Sequence, residues 1–267
     1  MMKKALQLIV CSLACSFLSS CSSSSSGSVS LTSGEYETAS YKGSDSSYMG
    51  DTDFNVSFEN FSFSSMGSVT IMPVLSGYVT SSENYEENQV YPLVSIEYPK
   101  DFPGLKVSFS KDTITIKNSK EVTFSGRDVY IHVYANVKKI NVTGALPVYL
   151  DASRSSSLDV SFSGASSLET STALSLSSLN IVASGASSFI LDGECDDFSA
   201  TISGVSTINA KDLSCKNANF DVSGTATISC SVSDSLIVTI SGLATITYYG
   251  DPKVESHISG AGSVNKG

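Results

Sequence analysis

Acidic side chains gather at one point of this chain. Asp192, Glu194, Asp196 and Asp197 fall within six residues, and Asp212 and Asp234 follow at intervals near twenty. Oxygen ligands at that density suit a hard cation held weakly, and they equally suit a solvated charged edge. The Gly-Gly-x-Gly-x-Asp nonapeptide of calcium-binding rolls is absent, so no metal is expected. Glycoside hydrolysis needs two carboxylates at a controlled separation. Here Ser and Thr dominate the positions around such acids, and the only arginines are Arg127 and Arg154. His132 and His257 are the only histidines, too far apart in the chain to share a site. Serine is about a fifth of all residues and no Gly-x-Ser-x-Gly elbow occurs. The reading is therefore of no catalytic residue and no cofactor.

Cysteine carries the remaining chemistry. Cys11 and Cys15 lie in an apolar run from Ala5 to Leu18, behind Lys3 and Lys4. A basic start and an apolar stretch too short to span a bilayer form a secretory signal over residues 1–20. The run ends in Leu18-Ser19-Ser20-Cys21, which resembles the bacterial lipobox. That resemblance implies cleavage before Cys21 and its acylation, and several acyl chains anchor a protein stably. The serine run Ser22–Ser26 opens a flexible tether over residues 21–50. Cys195, Cys215 and Cys230 remain, an odd number, so at most one disulfide forms within the chain.

These residues must be positioned by a repeat. Gly126, Gly144, Gly164, Gly185, Gly204, Gly224, Gly242 and Gly260 each follow a Ser or Thr, at spacings of 18, 20, 21, 19, 20, 18 and 18. A period near twenty marks a solenoid. Aligning the glycines shows four apolar columns. Phe162, Ala183, Ile202, Val222, Ile240 and Ile258 lie two before the glycine. Val160, Ile181, Ala200, Phe220 and Val238 lie four before, with Ser256 ending that column. Leu158, Leu179, Phe198, Ala218, Leu236 and Val254 lie six before. Leu168, Phe189, Ile208, Ile228, Ile246 and Val264 lie four after. Polar residues alternate with them, the period-two signal of half-buried strands, and the phase breaks at each glycine, where the chain must turn.

One such coil cannot bury its own apolar face, but a stack of them can. The expected fold is all-β: a right-handed parallel β-helix of about 18–21 residues per rung over 119–267. Eight repeats stacked at roughly 4.8 Å give a rod of about 34 Å. Cys195 lies ten residues after Gly185 and Cys215 eleven after Gly204, so the two should neighbour each other on adjacent rungs. They are either a disulfide or two small apolar fillers. Cys230, in the column of Leu191 and Ala210, should be a buried thiol. Residues 51–118 lack the glycine period but alternate well, as in Phe54-Asn55-Val56-Ser57-Phe58 and Thr113-Ile114-Thr115-Ile116. They read as irregular first rungs and an N-terminal cap, with a separate small β-domain as the alternative.

The Ser-Gly repeats, with Tyr248-Tyr249-Gly250-Asp251-Pro252 before a closing Ser259-Gly260-Ala261-Gly262, resemble the putative auto-transporter adhesin, head GIN domain family of bacterial envelope proteins. The resemblance covers about residues 120–267 and reaches back to about 52. It implies a right-handed β-helix, frequent lipid anchoring and no established catalytic residues. The family often has Ser-Gly-Ser-Gly-Asp at its turns. Here Ser-Gly-Ala-Ser-Ser and Ser-Gly-Thr-Ala-Thr replace it, so the acidic ladder of the family is missing.

Composition narrows the partners. The formal charge is −10, with 16 basic against 26 acidic residues; loss of Lys3 and Lys4 leaves 14 against 26, or −12. Such a chain lacks the footprint of a nucleic-acid binder. The expected partners are the membrane, through the lipid anchor, and a surface glycan or protein. The Ser ladder Ser163, Ser184, Ser203, Ser223, Ser241 and Ser259 is either turn chemistry or a ligand contact. Tyr248 and Tyr249 either cap the core or stack on sugars. The chain reads as a non-catalytic binding or scaffolding module of the cell envelope, lipid-anchored and extracytoplasmic. A carbohydrate-active enzyme on the same solenoid and a purely structural envelope component are the alternatives.

Overall fold

The computed structural model describes residues 31–33, 36–42, 53–61, 68–72, 93–99, 105–110, 112–118, 129–151 and 155–267. The signal segment, Cys21, Gly126, Arg127, Arg154 and the acidic stretch 81–89 lie outside them. Every regular element among the described residues is a strand. They are β1 (Leu31–Ser33), β2 (Tyr36–Lys42), β3 (Phe54–Phe61), β4 (Ser68–Met72), β5 (Leu93–Pro99), β6 (Leu105–Ser110) and β7 (Thr113–Asn118). Next come β8 (Tyr130–Tyr134), β9 (Val137–Gly144), β10 (Pro147–Leu150), β11 (Ser157–Phe162), β12 (Ala165–Thr170) and β13 (Leu174–Ala183). The last are β14 (Ala186–Ile202), β15 (Val205–Val222), β16 (Thr225–Ile240), β17 (Leu243–Tyr249), β18 (Lys253–Ile258) and β19 (Ala261–Lys266).

They form a parallel β-solenoid of about six turns. The side leading into each glycine stacks β9, β11, β13, then the ends of β14, β15 and β16, then β18, each parallel to the next. The side leaving it stacks β10, β12, the starts of β14, β15 and β16, then β17 and β19. A short third side joins them: Leu174–Leu176 lies against Gly193–Cys195, and Gly193–Cys195 against Leu213–Cys215. The long strands β14, β15 and β16 run unbroken around all three sides.

The four apolar columns point inward and form one continuous core. Phe162, Phe189, Phe198 and Phe220 are fully buried. Phe162 and Phe189 stack with ring centroids 5.2 Å apart, and Phe198 meets Phe220 edge-on at 5.2 Å, geometries that add to the burial of the rings. The glycine corners are built by close approach. From Gly164 to Gly260, each glycine lies over the previous one, and a Cβ on it would fall 1.6–2.1 Å from the carbonyl oxygen of the glycine below. Gly144 differs, with φ of 117°.

Stack order departs from chain order near the N-terminus. β3 lies between β7 and β9, parallel to both, and β4 lies between β8 and β10. Strands β3 and β4 therefore supply a coil inside the stack, with Val56 and Phe58 wholly buried. Asp112, just before β7, ties the three layers. Its Oδ2 accepts hydrogen bonds from Asn55 on β3 at 3.1 Å and from Lys138 on β9 at 3.3 Å. Beyond that, antiparallel strands close the end. β6 pairs antiparallel with β7, β5 with β8, β2 with β5 and β1 with β2. At the other end, no strand among the described residues pairs with the outer edge of β18 or β19.

Candidate functional site

The third side holds Cys195, Cys215 and Glu194, with Asp192, Asp196 and Asp197 flanking it, whereas Cys230 stacks between Ala210 and Tyr248 on the side that leaves the glycine. Cys195 and Cys215 are register partners on adjacent rungs. Neighbouring strands lie about 4.8 Å apart, within the Cα range that a disulfide spans. Both thiols are buried and free in this structure, as is that of Cys230. Cys195 donates to the carbonyl of Asp197 at 3.1 Å. Cys215 donates to the carbonyl of Leu213 at 3.7 Å. The adjacent Cys215 side chain holds the Cys195 thiol below its ordinary pKa; the adjacent Cys195 and burial push Cys215 up. Burial alone pushes Cys230 up to about 12. A groove of about 400 Å³ opens over the pair, lined among others by Leu176, Glu194, Asp196 and Lys216.

Two of the acids there have neighbours that answer their charge. Lys216 pairs with Asp196 at 2.7 Å, and Asn217 donates to Asp197 at 2.9 Å. Among the described residues no group of three or more His, Cys, Asp or Glu is arranged to hold a metal ion. His132 on β8 is half-buried, which lowers its pKa. His257 on β18 is exposed, 3.0 Å from Glu255, at the far end of the stack. Tyr248 is half-buried against the core, and Lys211 lies over the ring of Tyr249 at 4.5 Å. Both tyrosines are thus held by the last coils.

The side leaving each glycine is chemically distinct. Strand alternation turns the first, third and fifth residues after the glycine outward. The first column is Ala186, Val205, Thr225, Leu243 and Ala261; the third is Ser188, Thr207, Thr227, Thr245 and Ser263. The fifth is Ile190, Asn209, Ser229, Thr247 and Asn265. None of these residues is charged. Adjacent columns lie about 6.6 Å apart along the strands and adjacent rungs about 4.8 Å apart, so hydroxyls, amides and methyls form a flat regular grid. Val205 and Leu243 are 62% and 56% exposed. Charge returns at Glu169 on β12, and beyond it Tyr149, 37% exposed, continues the fifth column.

The Ser ladder before the glycines stands at the edge of this face. Ser223 and Ser259 donate to the carbonyls of Ile202 and Ile240 on the coil below, which is turn chemistry. One column further in, Ser166 accepts from the Leu146 amide and donates to Gly144, whereas the buried hydroxyls of Ser187 and Ser206 have no partner. The outward Ser and Thr columns were legible from the repeat. The uncharged whole, with its exposed aliphatics one residue past each glycine, was not singled out. Its signal is the lack of Asp, Glu, Lys and Arg at three aligned positions.

Comparison with known proteins agrees with this architecture. The family described as putative auto-transporter adhesin, head GIN domain, matches residues 89–252, and the chain belongs to it. Among solved structures, a putative adhesin from Bacteroides fragilis is similar, with a TM-score of 0.67 and 17% identity over 88% of this chain and 98% of that one. A putative lipid binding protein from Parabacteroides distasonis is similar too, with a TM-score of 0.53 and 18% identity over 88% of this chain and 97% of that one. At such identities the likeness is one of fold. No curated protein matches the sequence.

Proposed function

We propose that this member of the head GIN domain family is a non-catalytic, adhesin-like binding module of the bacterial cell envelope. In this reading Cys21 is its lipid anchor, the segment after Cys21 is a tether, and the solenoid is held outside the cytoplasmic membrane. The ligand is an extended, uncharged glycan lying along the side that leaves the glycines.

One observation carries the choice of ligand: in a chain of formal charge −10, the first, third and fifth positions after the glycine hold no charge along β14–β17 and β19, and charge on these strands returns at the seventh, with Asp192 and Lys211. A face of hydroxyls, amides and methyls repeating about every 4.8 Å offers the same hydrogen bonds and the same apolar contact to each unit of a repeating polymer. An uncharged polymer leaves no ion desolvated on either partner. The exposed Tyr149 adds an aromatic surface at one end.

The test is binding of the full chain to arrays of neutral and charged glycans, alongside a screen for reducing-end or unsaturated products. Retention on neutral chains without product release supports the reading. Product release abolished by a single carboxylate change would make the protein an enzyme. The anchor has its own test. Cys21→Ala should move the protein from the membrane pellet to the soluble fraction; persistence in the pellet would refute the anchor.

A further inference from the structure

The last coil leaves core residues uncovered. In β18, Val254, Ser256 and Ile258 continue the inward columns of Leu236, Val238 and Ile240. Those three are wholly buried, whereas all six residues of β18 are exposed, Val254 at 37% and Ile258 at 42%. Among the described residues no strand lies beside the outer edge of β18, whose backbone groups are a template for another chain. The opposite end shows what this stack accepts as a final layer: β7 and β8 are each covered by an antiparallel strand.

We propose that β18 pairs antiparallel with β18 of a second copy of this chain, joining two solenoids tail to tail about a two-fold axis at Ser256. The sequence Lys253-Val254-Glu255-Ser256-His257-Ile258 is self-complementary in that register alone. Val254 of each copy opposes Ile258 of the other, keeping aliphatics on the core side. Glu255 of each copy opposes His257 of the other, and this pair already interacts within one chain at 3.0 Å. Centring on Glu255 instead sets Glu255 against itself and Lys253 against His257. Centring on His257 sets that residue against itself. Like groups directly opposite destabilise a strand pair. A register centred on Val254 or Ile258 engages only half of the strand, and one centred between residues turns the aliphatics outward. A two-fold contact is also the commonest form of self-association. Strands β1 and β2 lie at the other end of the stack, so the paired rods carry their N-terminal strands at their far ends. With the anchor proposed above, that is the geometry of contact between two opposed surfaces.

The experiment measures the mass of the full chain in detergent by light scattering and cross-links Ser256→Cys by mild oxidation. A protein mass twice that of one chain, with a 256–256 disulfide identified by peptide mass, is the expected result. Ser263→Cys on β19 is the control and should not link to itself. Glu255→His and His257→Glu should each weaken the dimer by roughly tenfold, about 1.4 kcal/mol, and the double swap should restore it. A monomeric mass at about 100 μM, weaker than any micromolar pairing, would overturn the proposal. So would a dimer in which Ser256→Cys fails to cross-link.

Discussion

Gly224 lies directly over Gly204, so close that a Cβ on Gly224 would sit 2.1 Å from the carbonyl oxygen of Gly204. The backbone there does not need positive φ, since among the described residues only Gly144, Gly193 and Gly250 adopt it. The corner needs the absence of a side chain. Gly224→Ala should therefore force two rungs apart at their tightest point and cost about 2–4 kcal/mol. The neighbouring Ser223→Ala removes one exposed hydroxyl and should cost under about 1 kcal/mol. Urea midpoints of the two variants decide it: equal stabilities would show that the glycine contact is not what sets the corner.

Lys138 donates to the Asp112 carboxylate at 3.3 Å and holds that carboxyl below its ordinary value of 3.8. A carboxyl with a depressed folded pKa contributes stability above its unfolded pKa and loses it as pH falls through the folded one. The ties from Asp112 to β3 and β9 should thus weaken only in acid, below about pH 4. Asp112→Asn should be less stable than wild type at neutral pH, and the gap should close as pH falls. A gap that is constant from pH 7 to 3 would exclude the ion pair as its source.

How much of this fold was legible follows from the range of each cue. The inward columns repeat at two intervals, two residues along a strand and about twenty around a coil, so Phe189, Ile208 and Ile228 could be stacked from sequence. The partnership of Cys195 with Cys215 was legible too. The extra residue between Gly204 and Cys215 is absorbed by a register shift between Ile190 and Asp192. The seat of β3 between β7 and β9 was not legible. Its alternation says that Val56 and Phe58 point inward, but any open rung would bury them, and the ties that select this one come from residues as distant as Asp112 and Lys138. The open face was half legible. Its hydroxyls and its lack of charge at three aligned positions are visible as columns, but that these positions form one exposed face appears only once the strands are stacked.

The thiols should separate by reactivity. Cys195 has its pKa lowered by the adjacent Cys215 side chain, whereas burial pushes Cys230 up to about 12. The thiolate is the reactive form, and Cys195 borders the groove. Under reducing conditions an alkylating reagent should label Cys195 first, starting below the pH of an ordinary thiol, and Cys230 last. Without reductant, protein from an oxidising compartment should leave Cys195 and Cys215 unlabelled, with a mass lower by two hydrogens. Peptide masses before and after reduction distinguish the bridge from two buried thiols, and equal labelling of Cys195 and Cys230 would contradict the order.

The uncharged face makes the sharpest functional prediction. Thr227 stands at its centre, with Thr207 and Thr245 on the rungs to either side, and its side chain is exposed. Thr227→Lys leaves the inward columns untouched and keeps the strand pairing, so its stability should stay within about 0.5 kcal/mol of wild type. On a neutral glycan it places an ammonium where the polymer offers no counter-charge, and that ion must lose water to bind. Retention should fall at least about tenfold, and Thr227→Ser, which keeps the hydroxyl, should preserve it. Lys216→Glu, on the third side, breaks the pair with Asp196 but should leave retention unchanged. If both charge variants weaken retention equally, the uncharged face is not the specific contact; if only Lys216→Glu does, the ligand site is the groove over Cys195 and Cys215.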